Sequence, residues 1–175
     1  MWSVKSELQA SLNASRRVSK CTTGHRLKSL NGTPKVESAL RRVAAAALLV
    51  EAPSSVTTGV ALGWDIAVAR EAIEMGIPHR AAIPFAKQHE LWSDAQKKEY
   101  EWVLSNSEVV YTSNEISYAK ELMLSRNVWM VDNTSAIFAF YNYKIVSGTA
   151  HCVKYARSKG KAINNYWDLW QRIIL

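Results

Sequence analysis

The amino-acid sequence predicts an α/β fold: a doubly wound, mostly parallel sheet with helices on both faces. Three observations carry that reading. Short apolar runs alternate with helical stretches of about 10–15 residues, a pattern that implies crossover connections between parallel strands. Turns rich in glycine or polar residues, at 24–26, 59–65, 85–92 and 147–149, follow predicted strands and so share the carboxyl edge of the sheet, where open α/β sheets hold ligands. Finally, 175 residues, 48% of them hydrophobic, suit one core at about 100–200 residues per domain. A single domain is expected over 18–175, preceded by a basic extension at 1–17.

Residues 18–23 read as a first strand, polar for a buried one. Thr33-Pro34 opens a helix with proline at its first position, and Val36, Leu40, Val43, Ala47 and Val50 supply its apolar stripe. A second strand runs into Gly59-Val60-Ala61-Leu62-Gly63-Trp64-Asp65. There Gly59 and Gly63 admit φ > 0 and a close approach to bare backbone, and Asp65 stands where a helix N-cap is expected. The helix that follows buries Ile66, Ala69 and Ile73 and stops at Gly76. Residues 80–85 give a third strand, then a loop with Gln88, His89 and Trp92; Phe85 and Trp92 either stack on a base or sugar or cap the core.

Ser93-Asp94 caps a helix with Tyr100, Val103 and Leu104 inward, and 109–111 is a fourth strand. Asn114 is expected to cap a helix through Ile116, Ala119, Leu122 and Met123, whose far end carries Arg126 and Asn127. Two polar residues framed by Val128, Trp129, Met130 and Val131 belong in a cleft or an internal hydrogen-bond network. Residues 136–141 form an apolar fifth strand, Ser147-Gly148-Thr149 opens the next helix, and 161–165 is a last strand. The tail with Trp167, Trp170 and Ile173 is amphipathic; it serves as a subunit interface or folds back on its own chain.

The net charge of +7 resides in the first 42 residues, which hold nine Lys or Arg against Glu7 and Glu37. The remainder holds 13 bases and 13 acids, so the body is neutral and nucleic acid is not the expected partner. No run of about 18 apolar residues exists to span a membrane, the longest being 43–50. Cys21 and Cys152 stand alone, without disulfide or zinc spacing, so no metal or cofactor is expected and a reducing, cytoplasmic setting is.

A glycine-bracketed loop that opens a helix is a seat for phosphate, and equally a common way to turn a corner. Gly24-His25-Arg26 adds a ring able to donate or stack and a guanidinium fork suited to phosphate. These stretches, with Gly76-Ile77-Pro78, Ile83-Pro84-Phe85, Gln88, Tyr118, Arg126-Asn127-Val128-Trp129-Met130-Val131-Asp132 and Gly148-Thr149-Ala150-His151-Cys152, resemble the YpsA-like branch of the SLOG superfamily from about residue 20 to 165. That resemblance implies a Rossmann-like fold and a nucleotide or ADP-ribose-like ligand. The superfamily includes the LOG phosphoribohydrolases, the DNA-processing protein DprA, and domains that sense nucleotide-derived signals beside immune effectors.

Two departures bear on function. Ser147-Gly148-Thr149 stands where the branch usually has Gly-Gly-Thr, and Cys152 where the LOG motif carries its glutamate. Without that acid, cleavage of an N-glycosidic bond lacks its expected carboxylate. The leading expectation is therefore a binding protein, a sensor or a sequestering protein of the kind a phage encodes. Gly24, Gly59, Gly63, Gly148 and Thr149 would donate to phosphate, Arg26 and Arg126 supply countercharge, Phe85 and Trp92 a stacking wall, and Asp65 or Asn127 a ribose contact, with His25 and Gln88 beside them. A LOG-type N-glycosidase using Asp65 or Asp132 and a DprA-like single-stranded DNA binder are the alternatives. A homo-oligomer is expected, as SLOG proteins commonly pair.

Overall fold

The computed structural model describes residues 18–26, 30, 32–143 and 146–174; the basic extension at 1–17 lies outside them. Strands and helices alternate along the chain: β1 (Ser19–Gly24), α1 (Pro34–Glu51), β2 (Ser55–Thr58), α2 (Trp64–Glu74), β3 (His79–Ile83), α3 (Asp94–Ser105), β4 (Glu108–Tyr111), α4 (Lys120–Asp132), β5 (Ala136–Phe140), α5 (Gly148–Ser158), β6 (Ala162–Asn165) and α6 (Trp167–Ile174). The strands form one sheet in the order β4-β3-β2-β1-β5-β6, and every pairing is parallel. The chain steps outward from β1 to β4, then returns to lay β5 on the other side of β1. Strand order thus reverses between β1 and β5, whose ends are level because Gly24 pairs with Phe140.

A parallel sheet is covered on both faces, and β5 shows why its sequence is apolar throughout. Ile137 and Ala139 pack with Met130 and Val131 of α4 and Cys152, Val153 and Ala156 of α5. Phe138 and Phe140 point the other way, into a cluster with α1, Trp64 and Val68 of α2, and Trp170 of α6. The terminal aromatic tail is therefore folded back on its own core.

Local chemistry sets the helix starts. Thr33 Oγ1 accepts from the Val36 N–H at 3.3 Å ahead of Pro34. Ser93 and Gln96 form a reciprocal capping box at α3, and Ser147 Oγ accepts from the Ala150 N–H at α5.

Three expectations are corrected. Val50 is 76% exposed; Glu51, four residues after Ala47, takes the inward direction and meets Lys20, Asn164 and Tyr166. Asn114 caps no helix: the carbonyls of Glu115 and Ile116 accept from the N–H groups of Ala86 and Lys87, which holds this segment extended until α4 starts at Lys120. Asp65 is not the cap of α2. Gly63 occupies that position with φ 108° and no side-chain cap bond, and Asp65, one residue inside the helix, turns toward β1.

Candidate functional site

The strand reversal leaves a crevice of about 380 Å³ at the carboxyl ends of β1 and β5. Thr22, Thr23, Gly24, His25 and Arg26 from the end of β1 form one wall, and Ser147, Gly148 and Thr149 at the start of α5 form the other. Ala61 and Asp65 contribute from the β2–α2 connection, and Lys120, Met123, Leu124, Arg126 and Asn127 come from α4.

Arg126 is the crevice's anchor. Only 3% exposed, its Nη1 donates to the Gly59 carbonyl at 2.7 Å and the Ala82 carbonyl at 3.2 Å. Its Nε donates to Asn127 Oδ1 at 3.0 Å, and Asn127 Nδ2 in turn reaches the Gly148 carbonyl at 3.4 Å. Burial pulls the guanidinium pKa below its usual value, while the Asp65 carboxylate opposes that shift. Nη2 has no hydrogen-bond acceptor among the described residues. Asp65 itself is occupied: Oδ1 accepts from Thr22 Oγ1 at 2.8 Å and Oδ2 from the Gly59 N–H at 3.2 Å.

The glycines fall into two kinds. A Cβ on Gly24 would come within 2.5 Å of Trp64, and one on Gly59 within 1.8 Å of Arg126 Nη1; both glycines are demanded by the protein's own packing. Gly148 is different, since the nearest atom to its would-be Cβ is Asn127 Nδ2 at 3.8 Å. The packing around it does not demand a glycine, and the N–H groups of Gly148 and Thr149 have no acceptor within their helix. They lie at the positive end of the helix dipole, an arrangement that favours negative charge.

Next to this crevice lies a second cavity of about 510 Å³, which contains Phe85, Gln88 and Trp92 and shares Arg26, Ala61, Tyr118 and Met123 with the first. Gln88 Nε2 donates to the carbonyls of Gly59 and Val60 at 3.0 and 3.2 Å. Gly59 O thus receives a donor from each cavity's wall. Val60, between the two, has φ 48°, a costly conformation for a β-branched residue.

Of the residues singled out in the sequence, Gly24, His25, Arg26, Asp65, Arg126, Asn127, Gly148 and Thr149 line the first cavity, and Phe85, Gln88 and Trp92 the second. Gly59 lies beneath them, its N–H and carbonyl both taken. Gly63 is brought to neither cavity; it borders a separate depression between α1, α2 and α3. His25 is buried, its Nε2 accepting from the Asn142 N–H at 3.2 Å, and burial lowers its pKa. The sequence reading missed Thr22 and Lys120. Lys120 was hidden by the misplaced start of α4, whereas Thr22, polar in a buried strand, was the available signal for an inward hydroxyl.

Cys152 is fully buried, and burial pushes its thiol pKa up to about 11. Among the described residues no cluster of His, Cys, Asp or Glu could hold a metal ion, and no helix is long and apolar enough to cross a membrane.

The fold and crevice define a Rossmann-like protein with an open crevice at the reversal of strand order. The chain belongs to the YspA SLOG family (YpsA), whose model matches residues 32–169. It is 30% identical over 116 residues to the uncharacterized SPbeta prophage-derived protein YoqJ of Bacillus subtilis strain 168, covering 57% of this chain and 67% of that protein. Among solved structures it is similar to DNA processing protein A (DprA) from Streptococcus pneumoniae, with TM-score 0.64, 16% identity and 87% of this chain covered. This chain spans 51% of that one's length. DprA from Helicobacter pylori, described for its single-stranded DNA binding mode, gives TM-score 0.63 at 16% identity over 89% of this chain and 67% of that one. The molybdenum cofactor binding protein from Rippkaea orientalis gives 0.52 at 16% identity over 90% of this chain and 82% of that one. At these identities the likeness is one of fold.

Proposed function

We propose that this protein binds a phosphate-bearing, nucleotide-derived small molecule in the crevice between β1 and β5, as a sensor or a sequestering protein. One observation carries the reading: the N–H groups of Gly148 and Thr149, which have no acceptor within their helix, border the same cavity as Arg126, a buried cation whose Nη2 has no hydrogen-bond acceptor among the described residues. Arg26 and Lys120, on the same lining, add countercharge, and Asn127, also on it, offers a contact to a ribose hydroxyl. Binding is favoured over turnover because Asp65 already accepts from Thr22 and Gly59. The glutamate position of LOG enzymes holds a buried, protonated Cys152 thiol. A prophage-derived relative fits a sequestering role.

The test is to incubate the purified chain with a panel of nucleotides, cyclic nucleotides and ADP-ribose derivatives, remove unbound material, denature by heat and identify what is released by mass spectrometry. Recovery of an intact ligand by the wild type and not by Gly148→Ala is expected. Recovery of free base and ribose phosphate accumulating with time would instead make the protein an N-glycosidase. Binding of oligothymidylate with steep salt dependence would make it a single-stranded DNA binder in the manner of DprA. The reading places the protein in the cytoplasm as a homo-oligomer; light scattering that finds only monomer at micromolar concentration removes the second part.

A further inference from the structure

The β2–α2 connection borders both cavities through Ala61. It is gripped from the α3 side by Thr58, His79 and Ser107, polar side chains that line neither cavity. In the register of β2 and β3, Val56 pairs with His79 and Thr58 with Ala81, so Thr58 and His79 are diagonal neighbours on one face of the sheet. That face is otherwise apolar: Ala81 and Ile83 cluster there with Ala69 of α2 and with Tyr100 and Val103 of α3. Within it, His79 Nδ1 lies 2.6 Å from Ser107 Oγ, and Nε2 lies 3.0 Å from Thr58 Oγ1.

The direction of this chain is fixed. Ser107 has one hydroxyl proton and donates it to the Val103 carbonyl at 2.5 Å, so it accepts from His79, whose ring proton therefore sits on Nδ1. Burial lowers the ring's pKa to about 4; the neutral ring leaves Nε2 bare, and it accepts the Thr58 hydroxyl proton. Thr58 Oγ1, with its proton so directed, accepts from the Val60 N–H at 3.2 Å. That N–H and the Gly59 carbonyl belong to one planar peptide unit and point to its opposite edges. Thr58 holds one edge, while Arg126 Nη1 and Gln88 Nε2 hold the carbonyl at 2.7 and 3.0 Å. The unit has a reason to turn over: Val60 has φ 48°, costly for a β-branched residue, and rotating the peptide ahead of it changes that angle. Unclamped, the peptide would relax toward negative φ and carry the carbonyl away from Arg126.

We infer that His79 is a positioning residue of the crevice: held in its Nδ1–H tautomer by Ser107, it orients Thr58 so that the peptide between Gly59 and Val60 keeps its carbonyl turned toward Arg126. The anchor of the crevice is thus aimed from the far side of β2, by a residue that touches neither cavity. The clamp has a functional sense only under the crevice reading above, on which it rests; its bonds are present with or without a ligand.

The experiment is nuclear magnetic resonance of the isotope-labelled full chain as wild type, Thr58→Val, Thr58→Ser and His79→Phe. A long-range proton–nitrogen spectrum of the wild type at pH 7 is expected to show His79 protonated on Nδ1 alone. The opposite tautomer, or a mixture, would overturn the clamp whatever the variants do. Amide exchange at Val60 is then referred to that of Phe138, in the middle of β5, so that changes in global stability cancel. The ratio is expected to rise by about 2- to 13-fold in Thr58→Val, the factor for one lost hydrogen bond. It rises less in His79→Phe, where Thr58 keeps its oxygen but loses its orientation, and stays at the wild-type value in Thr58→Ser. The Arg126 Nε–H, which donates to Asn127, exchanges faster in Thr58→Val and His79→Phe. An unchanged Val60 ratio in those two variants, or an Arg126 signal indifferent to both, would overturn the inference. If either variant fails to fold in a urea titration, the wild-type tautomer still decides. Titration with inorganic phosphate, followed at the Gly148 and Thr149 amides, separates the two readings. No response in the wild type would count against the crevice reading, while tautomer and exchange rates still judge the clamp.

Discussion

Replacing Gly59 by alanine tests whether Arg126 is the anchor of the crevice. The added Cβ would stand 1.8 Å from Nη1, 2.2 Å from Cζ and 2.8 Å from Nη2 of Arg126, so the guanidinium must move. A free arginine would do so at little cost, but this one is buried and gives up its bonds to the carbonyls of Gly59 and Ala82. At about 1.5–3 kcal/mol for each hydrogen bond to a charged group, the loss is about 3–6 kcal/mol. The lower figure applies if the displaced guanidinium swings into the crevice and regains water. Since domains of this size have about 5–15 kcal/mol in total, the shift is large. Gly148→Ala is the matched control. Its Cβ meets only Asn127 Nδ2 at 3.8 Å, and in a helical first turn alanine is neutral or stabilising by up to about 1 kcal/mol. Urea unfolding followed by circular dichroism measures both. A Gly59→Ala midpoint within about 1 kcal/mol of wild type, or a Gly148→Ala variant equally destabilised, would refute the assignment of the two glycines to different jobs.

Three further outcomes are expected. Arg126→Lys replaces a fork by a point charge and cannot serve Gly59, Ala82 and Asn127 together; it should lose about 2 kcal/mol of stability, and a wild-type melting curve would contradict this. His79 is held neutral by burial, its pKa lowered to about 4, between Thr58 Oγ1 and Ser107 Oγ. Because the unfolded chain binds the proton first, its contribution is intact above pH 6.5 and is lost as pH falls from there toward 4. Wild type should therefore lose about 2–3 kcal/mol more than His79→Gln over that window, and parallel pH profiles would refute it. Cys21 and Cys152 are buried with raised thiol pKa values, so a disulfide reagent at pH 7.5 should modify neither in the folded protein and both in urea; rapid modification of Cys152 without denaturant would contradict its placement.

Most of the fold was legible because it is written locally. Thr33-Pro34, Ser93 with Gln96 three residues on, and Ser147 before Gly148 are caps whose partners lie within one helical turn. The uninterrupted apolar run of β5 announced a strand covered on both sides. What misled was periodicity without context: Ile116, Ala119, Leu122 and Met123 repeat like a helix face, but backbone bonds from Ala86 and Lys87 claim the segment. The site divides in the same way. Arg126 and Asn127 stood out as polar residues among large apolar ones, and the structure does bring them to the crevice. Gly59 and Asp65 were read as ligand-facing, yet they bond to each other and to Thr22, a residue 43 positions away from Asp65 in sequence. No local pattern encodes that contact.

The Gly59 carbonyl, which takes both Arg126 Nη1 and Gln88 Nε2, makes three distant positions hostages of one another. A change at Gln88 alters the claim of Arg126 on the same oxygen, and a side chain at Gly59 evicts Arg126 altogether. Substitutions at the three sites should therefore be strongly non-additive in a double-mutant cycle.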